Sequence, residues 1–392
     1  MNRNPKCVWV PGPVIIGAGP SGLATAACLK EKGVPSLIIE KESCVASLWK
    51  TKTYDRLKLH LPKQLCELPH MEMPAETPAY PTKNQFILYL DAYAKHFCIK
   101  PILGVEVRSA EYDSTMGFWH VLSNDFKFVC RWLIVATGEN AEPVLPDISG
   151  VSDFKGRVSH SSSYKNGADF KGEEVLVVGC GNSGMEISLD LCHSGAQASI
   201  VVRDKLHVLP REMFGRSTFG LSMLLLKWFP VGLVDWFVLL CSRLILGDTG
   251  RYGFKRPEVG PFQLKNSTGK TPVLDVGTLA NIKIGQIKVV PGIEKFTATG
   301  AEFIDGTMAK FDSLIFATGY RSNVPSWLKE ELFNKGGHPK TPFPNNWKGK
   351  NELYSVGFNR RGLLGVSMDA QKVAEDISQQ WNSETKHLRT EL

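Results

Sequence analysis

Two stretches of the chain carry the same order of apolar and small residues. In the first, Val14-Ile15-Ile16 is a short continuous apolar run. Gly17-Ala18-Gly19-Pro20-Ser21-Gly22 follows, Leu23 to Glu31 suits a helix, Gly33 stops it, and Ser36 to Ile39 is apolar again before Glu40. This pattern predicts a strand, a glycine loop, a helix and a second strand, a compact βαβ unit. The grammar restarts with the apolar run Glu174 to Val178, the loop Gly179-Cys180-Gly181-Asn182-Ser183-Gly184, a helical Met185 to Ser194, and a strand Ala198 to Val202 ending at Arg203. Each half also holds an apolar run that ends in Ala-Thr-Gly, at 136–138 and at 317–319.

Between these landmarks the pattern predicts a helix over Lys83 to Phe97 and β-segments near Glu106 to Tyr112, Phe118 to Leu122, Ile287 to Val290 and Ala301 to Ile304. Phe219 to Leu246 is the most apolar stretch, but Lys227, Asp235 and Arg243 interrupt it and Pro230 breaks it. It lacks the uncharged span of about 20 residues that crossing a bilayer needs. Two packed helices are expected there, with peripheral membrane contact as the weaker reading. The fold class that follows is α/β, with two Rossmann-like dinucleotide-binding domains and the second inserted into the first. The expected parts are 1–165, 166–274 and 275–392, with Asp275-Val276-Gly277-Thr278 returning the chain to the first domain.

Composition narrows the classes. The 392 residues are 43% hydrophobic and 22% charged, which suits a globular protein and not a disordered one. A net charge of +7 is scattered along the chain, so the clustered patch of a nucleic-acid binder is missing. Met1 to Val10 lacks the apolar core of a signal peptide. Nine cysteines show neither metal-ligand nor redox-pair spacing, so reduced thiols in a cytosolic-type compartment are expected, with no metal site and no dithiol partner for Cys44, Cys180 or Cys192.

The loops carry the chemistry. A lone Gly-x-Gly-x-x-Gly is weak evidence, but here each copy stands between a strand and a helix. Gly17 and Gly179 suit the tight turn, Gly19 and Gly181 let backbone approach a pyrophosphate, and Gly22 and Gly184 permit close helix packing. The helix N-termini that follow, opening at Pro20-Ser21 and Asn182-Ser183, favour anions. Glu40 lies 18 residues after Gly22, where a carboxylate accepts from ribose hydroxyls and repels a 2′-phosphate. Arg203 lies 19 residues after Gly184 and favours a 2′-phosphate, although Asp204 beside it tempers the case. FAD is therefore expected in the first site and NADPH in the second. Asn182 suits either the diphosphate or loop stabilisation, and Trp49 and Tyr54 suit either the flavin or the core.

Phe154-Lys155-Gly156-Arg157-Val158-Ser159-His160-Ser161-Ser162-Ser163-Tyr164 matches the Phe-x-Gly-x-x-x-His-x-x-x-Tyr signature of class B flavin monooxygenases. More closely, the chain resembles the plant YUCCA branch over nearly its whole length. The carriers are the segment Tyr54 to Lys63, Ala136-Thr137-Gly138-Glu139-Asn140, Gly181 to Glu186, Leu274 to Thr278 and Phe316-Ala317-Thr318-Gly319-Tyr320. The resemblance implies that NADPH reduces the flavin, that the reduced flavin activates O₂, and that a small 2-oxo acid, indole-3-pyruvate, becomes indole-3-acetate in auxin biosynthesis. It also implies a cytosolic enzyme, with the cytosolic face of the endoplasmic reticulum as a site of association. Where many relatives have an asparagine near the flavin, the similar segment here reads Leu59-His60-Leu61-Pro62-Lys63, so His60 is either its replacement or structural. No residue is assigned as catalytic. The rival readings are an N- or S-oxygenating flavin monooxygenase and a flavin-binding protein without oxygenase activity.

Overall fold

The apolar runs that precede the two glycine loops become central strands of two separate parallel sheets in a computed structural model, which describes residues 5–330, 332–341 and 343–390, without the side chains of 384–390. The chain divides into two compact units. The first comprises the chain up to Thr51, Lys63–Glu142 and the chain from Tyr320 onward; the second comprises Lys52–Pro62 and Pro143–Gly319.

In the first unit the strands run in the order Leu353–Ser355, Leu133–Val135, Val14–Ile16, Leu37–Ile39, all parallel. Val14, Ile15, Leu133, Ile134 and Val135 have no exposed surface, because a parallel sheet is covered on both faces. Alternate residues then serve alternate layers. Val14, Ile16, Leu133 and Val135 share a core with Trp119, Val121 and Phe128 from an antiparallel ladder of Ser109–Asp113, Phe118–Leu122 and Phe126–Cys130. Lys6–Trp9 pairs parallel with the last of these strands. The helices Pro20–Glu31 and Gly362–Thr390 lie against each other, and Lys32 pairs with Glu375.

The second unit repeats this plan. Its sheet runs Ile287–Val290, Gln197–Val201, Glu174–Val178, Ser313–Phe316, Arg157–His160, again all parallel. Val175 and Val177 face Met185, Ile187 and Leu191 of helix Asn182–His193. Leu176, Val178, Leu314 and Phe316 face Phe296, Ala301 and Phe303 of a three-stranded antiparallel ladder.

These pairings correct the expected boundaries. Residues 143–165 and 275–319 belong with the second unit, because Arg157–His160, Ile287–Val290 and Ser313–Phe316 are strands of its sheet. Asp275 does not return the chain to the first unit. It closes strand Val273–Asp275, and its carboxylate accepts the N–H of Leu279 at 2.9 Å at the start of helix Thr278–Lys283. Phe219 to Leu246 forms the expected two helices, Thr218–Leu225 and Val231–Leu246, with Pro230 as the N-cap of the second. Among the described residues no helix is long and apolar enough to cross a membrane.

Candidate functional site

The six loop glycines divide into three pairs with matching environments. Gly17 and Gly179 have φ of +106° and +113°, a region that side chains rarely enter, and a Cβ there would lie 2.7 Å from the Ala136 carbonyl and 2.5 Å from that of Ala317. A Cβ on Gly22 would overlap the Gly17 carbonyl, and one on Gly184 the Gly179 carbonyl. At Gly19 and Gly181 a Cβ would meet nothing within 4 Å. Two glycines of each loop are thus demanded by the fold itself. The middle one has no neighbour among the described residues that demands it, and it leaves bare backbone facing open space. Both following helices, Pro20–Glu31 and Asn182–His193, start there without a side-chain cap, and Pro20 fills a first-turn position whose missing N–H costs nothing. Each loop is therefore a cradle that fits a pyrophosphate.

In the first unit Glu40 is buried, and its carboxylate ties the loop together. It accepts the N–H of Ala18 at 2.7 Å and that of Glu42 at 3.0 Å, with the Ser47 hydroxyl at 3.4 Å. Two carboxylate oxygens offer about four lone-pair sites, so ribose hydroxyls can share them. Ser21 is buried in the first turn, and its main-chain carbonyl accepts from the Thr25 hydroxyl at 2.7 Å. Trp49 meets the Phe86 ring edge-on at 4.6 Å, which places it at the border of the aromatic core.

Sequence reasoning gave no role to Thr137 or Glu139. Both follow the strand Leu133–Val135 at its carboxyl end, where open α/β sheets bind their ligands. Thr137 Oγ1, Glu139 Oε1, Asn323 Oδ1 and His338 Nδ1 are buried without hydrogen-bond partners among the described residues. Glu139 Oε1 lies 3.7 Å from His338 Nδ1. Burial pushes the Glu139 carboxyl up to about 7, with Arg360 pulling against it. Unsatisfied buried polar atoms in one unit call for a polar ligand or water. The signal in the sequence was two polar residues at the second and fourth positions after a fully buried strand.

In the second unit Arg203 is exposed and forks onto Asp204, with Nε at 3.3 Å and Nη2 at 2.9 Å from the carboxylate. Such an exposed pair is worth at most about 1 kcal/mol, so a phosphate can exchange for it. Asn182 Oδ1 accepts the N–H of Leu274 at 2.9 Å, which gives this side chain the loop-stabilising role. Ser183 stands beside the Tyr54 phenol. Burial raises the Cys180 thiol to about 11, far from the thiolate that a nucleophile needs.

The segment 52–62 is held by the same helix. Tyr54 Oη donates to Glu186 Oε2 at 2.7 Å, and His60 Nε2 lies 3.1 Å from Glu186 Oε1. Arg56 lies 3.7 Å from Asp190, whose other oxygen accepts from Tyr164 Oη at 2.6 Å and from the Gly167 N–H at 2.9 Å. Burial, reinforced by the Glu186 charge, pushes the Tyr54 phenol well above its usual range, so it stays a donor. His60 thus belongs with helix Asn182–His193 of the second unit.

The signature 154–164 is likewise built into the second unit and is no linker. Phe154 is buried, and a Cβ on Gly156 would overlap the Asp312 carbonyl and lie 2.5 Å from the Phe154 ring. His160 ends an edge strand, its Nδ1 accepting the Ser162 N–H at 3.1 Å, and burial lowers its pKa. Tyr164 anchors the chain to Asp190.

A family model described as pyridine nucleotide-disulphide oxidoreductase matches residues 14–210. Among solved structures, a flavin-containing monooxygenase from Stenotrophomonas maltophilia superposes with a TM-score of 0.71 at 20% identity, covering 96% of this chain and 99% of that one. A steroid monooxygenase bound to NADP gives 0.75 at 17%, covering 95% and 85%. These share the two-domain fold. Identity in sequence is far higher with indole-3-pyruvate monooxygenase YUCCA6 of Arabidopsis thaliana, 58% over 96% of this chain and 92% of that protein. The rice (Oryza sativa subsp. japonica) indole-3-pyruvate monooxygenase YUCCA1 is 57% identical over 95% and 93%. With both glycine loops, the edge-strand signature and this near full-length identity in one chain, it belongs to the YUCCA family of indole-3-pyruvate monooxygenases.

Proposed function

We propose that the chain is an FAD- and NADPH-dependent monooxygenase that converts indole-3-pyruvate, NADPH, a proton and O₂ to indole-3-acetate, CO₂, NADP⁺ and water. The observation that carries this reading is the matched pair of cradles, bare at Gly19 and Gly181, one followed by a carboxylate and the other by a guanidinium. Gly17, Gly19, Pro20, Ser21, Gly22 and Glu40 would hold FAD, with Trp49 beside it. Gly179, Gly181, Ser183, Gly184 and Arg203 would hold NADPH, and Asn182 would keep that loop in shape through Leu274. Bound there, the nicotinamide would supply hydride and the flavin would activate oxygen. The chain's own part is to orient them. Glu40 fixes the Ala18 peptide, and Tyr54 with His60 fixes Glu186 on the second helix. We place the enzyme in the cytosol, with peripheral contact to the cytosolic face of the endoplasmic reticulum.

The test is aerobic incubation of the purified protein with NADPH and a panel of 2-oxo acids under ¹⁸O₂. One labelled atom is expected in the carboxylate of the shortened acid, with release of CO₂. Rapid oxidation of amines or thioethers without keto-acid turnover would replace the substrate and keep the class. Label from water would remove both.

A further inference from the structure

Helix Val231–Leu246 is apolar on both of its sides. Its inner side, with Val234, Val238 and Cys241, packs on Leu209, Met213 and Phe262 in the second unit. Its outer side continues that character. Leu233, Trp236, Leu240 and Leu244 recur at spacings of three, four and four, which aligns them in one stripe. Trp236 is 60% exposed and Leu244 77%. At the turn from helix Thr218–Leu225, Trp228 is 79% exposed with Phe229 beside it. A helix apolar all round does not face water by default, and a contiguous patch of this kind marks a contact surface.

Charge selects the occupant. Between Met213 and Gly247 the charged residues are Arg216, Lys227, Asp235 and Arg243. The three basic ones are exposed, whereas Asp235 is buried, accepting the N–H groups of Phe262 at 2.8 Å and Gln263 at 3.1 Å. Glu212, opposite Ser217, and Asp248, 3.7 Å from Arg251, are exposed at the two ends of this stretch, so the apolar patch has a rim of both charges with a basic excess. A second copy docking by two-fold symmetry would gain nothing from this basic excess, which it would set against itself. An anionic lipid surface matches it instead: leucines enter the acyl boundary, tryptophans sit at headgroup depth, and the basic residues meet lipid phosphates. We propose that helices Thr218–Leu225 and Val231–Leu246 form a monotopic docking face for an anionic lipid bilayer, with Trp228 and Trp236 as its anchors. This rests on the peripheral location proposed above and not on the oxygenase chemistry.

Flotation of the full-length holoenzyme tests it, with vesicles of phosphatidylcholine alone or mixed with phosphatidylserine, at low and high salt. The wild type should float with the mixed vesicles, less so at high salt, and its tryptophan emission should shift to the blue. Trp228→Glu and Trp236→Glu should each lower the partition roughly tenfold or more. Met308→Glu, on an exposed apolar residue outside the patch, should bind as wild type. Flavin content and NADPH-dependent turnover without vesicles, read in parallel, should be unchanged in all three variants, so a failure of the chemistry shows separately. Absence of vesicle binding, or binding that both glutamate variants retain, would overturn the proposal. So would a concentration-dependent dimer that the same two variants abolish.

Discussion

Gly19 and Gly22 stand three residues apart in one loop and differ in what they tolerate. A methyl group on Gly22 would strike the Gly17 carbonyl, so Gly22→Ala should destabilise the protein by about 1–3 kcal/mol or more, read as a drop in the unfolding midpoint. A methyl group on Gly19 meets no atom of the described residues within 4 Å, so Gly19→Ala should fold normally and lose FAD, read from the absorbance of released flavin. Full flavin content in Gly19→Ala would take this loop out of the FAD assignment. Glu139 makes a prediction about pH. Its carboxyl is raised from 4.5 to about 7 in the folded protein, so the native state holds a proton that the unfolded chain releases. Its contribution is therefore complete below about 4.5 and declines as pH rises toward 7. Glu139→Gln should flatten that part of the stability profile, measured as unfolding midpoint against pH. A parallel decline in both proteins would assign the slope to other groups. Neither the Ala18 contact of Glu40 nor the burial of Glu139 could be read from sequence, because both depend on backbone brought close by folding.

At the scale of elements, the strand Gln197–Val201 delivers Arg203 and Asp204 together, and the two predict opposite outcomes. Arg203→Ala should weaken NADPH binding by about tenfold or more and spare NADH, since a charge-assisted bond is worth roughly 1.5–3 kcal/mol. Asp204→Ala should strengthen NADPH binding, because it frees the guanidinium and removes a carboxylate from the phosphate's neighbourhood. Equal losses for both nucleotides in Arg203→Ala would make that residue structural. Elements of this sort were legible where the pattern was strong. Ile287–Val290 and the run 313–316 are strands where their apolar residues predict them, and the helix at 83 ends within a residue of its expected limit. What the pattern lacked was sheet membership. Strand Ser313–Phe316 pairs with Glu174–Val178, more than a hundred residues earlier, and local periodicity contains no record of that partner.

For the whole molecule, the least legible feature was the segment 52–62. It is short, mixed in polarity and without a repeat, yet it belongs to the second unit while its flanks belong to the first. Its value is measurable. A fragment of residues 143–319 should be soluble only with difficulty, because it loses Tyr54 and Leu57 from its apolar core and the Tyr54 and His60 partners of Glu186. Joining residues 52–62 to it through a flexible linker should stabilise it by about 1–3 kcal/mol for the Tyr54 bond alone, read as a higher denaturation midpoint. Equal midpoints would show that the segment only rests on the surface.

The nested connectivity also sets a timetable for synthesis. Chains emerge from the ribosome amino end first, and domains fold as units when their residues are complete. The second unit has all its strands once Phe316 has been made. The first must wait for Leu353–Ser355, which pairs beside Leu133–Val135, and for helix Gly362–Thr390. The nascent first glycine loop, although translated earliest, is thus the last to be framed by a finished sheet. A premature stop between residues 320 and 352 would release a chain whose later-encoded glycine loop sits in a whole sheet and whose earlier-encoded one does not.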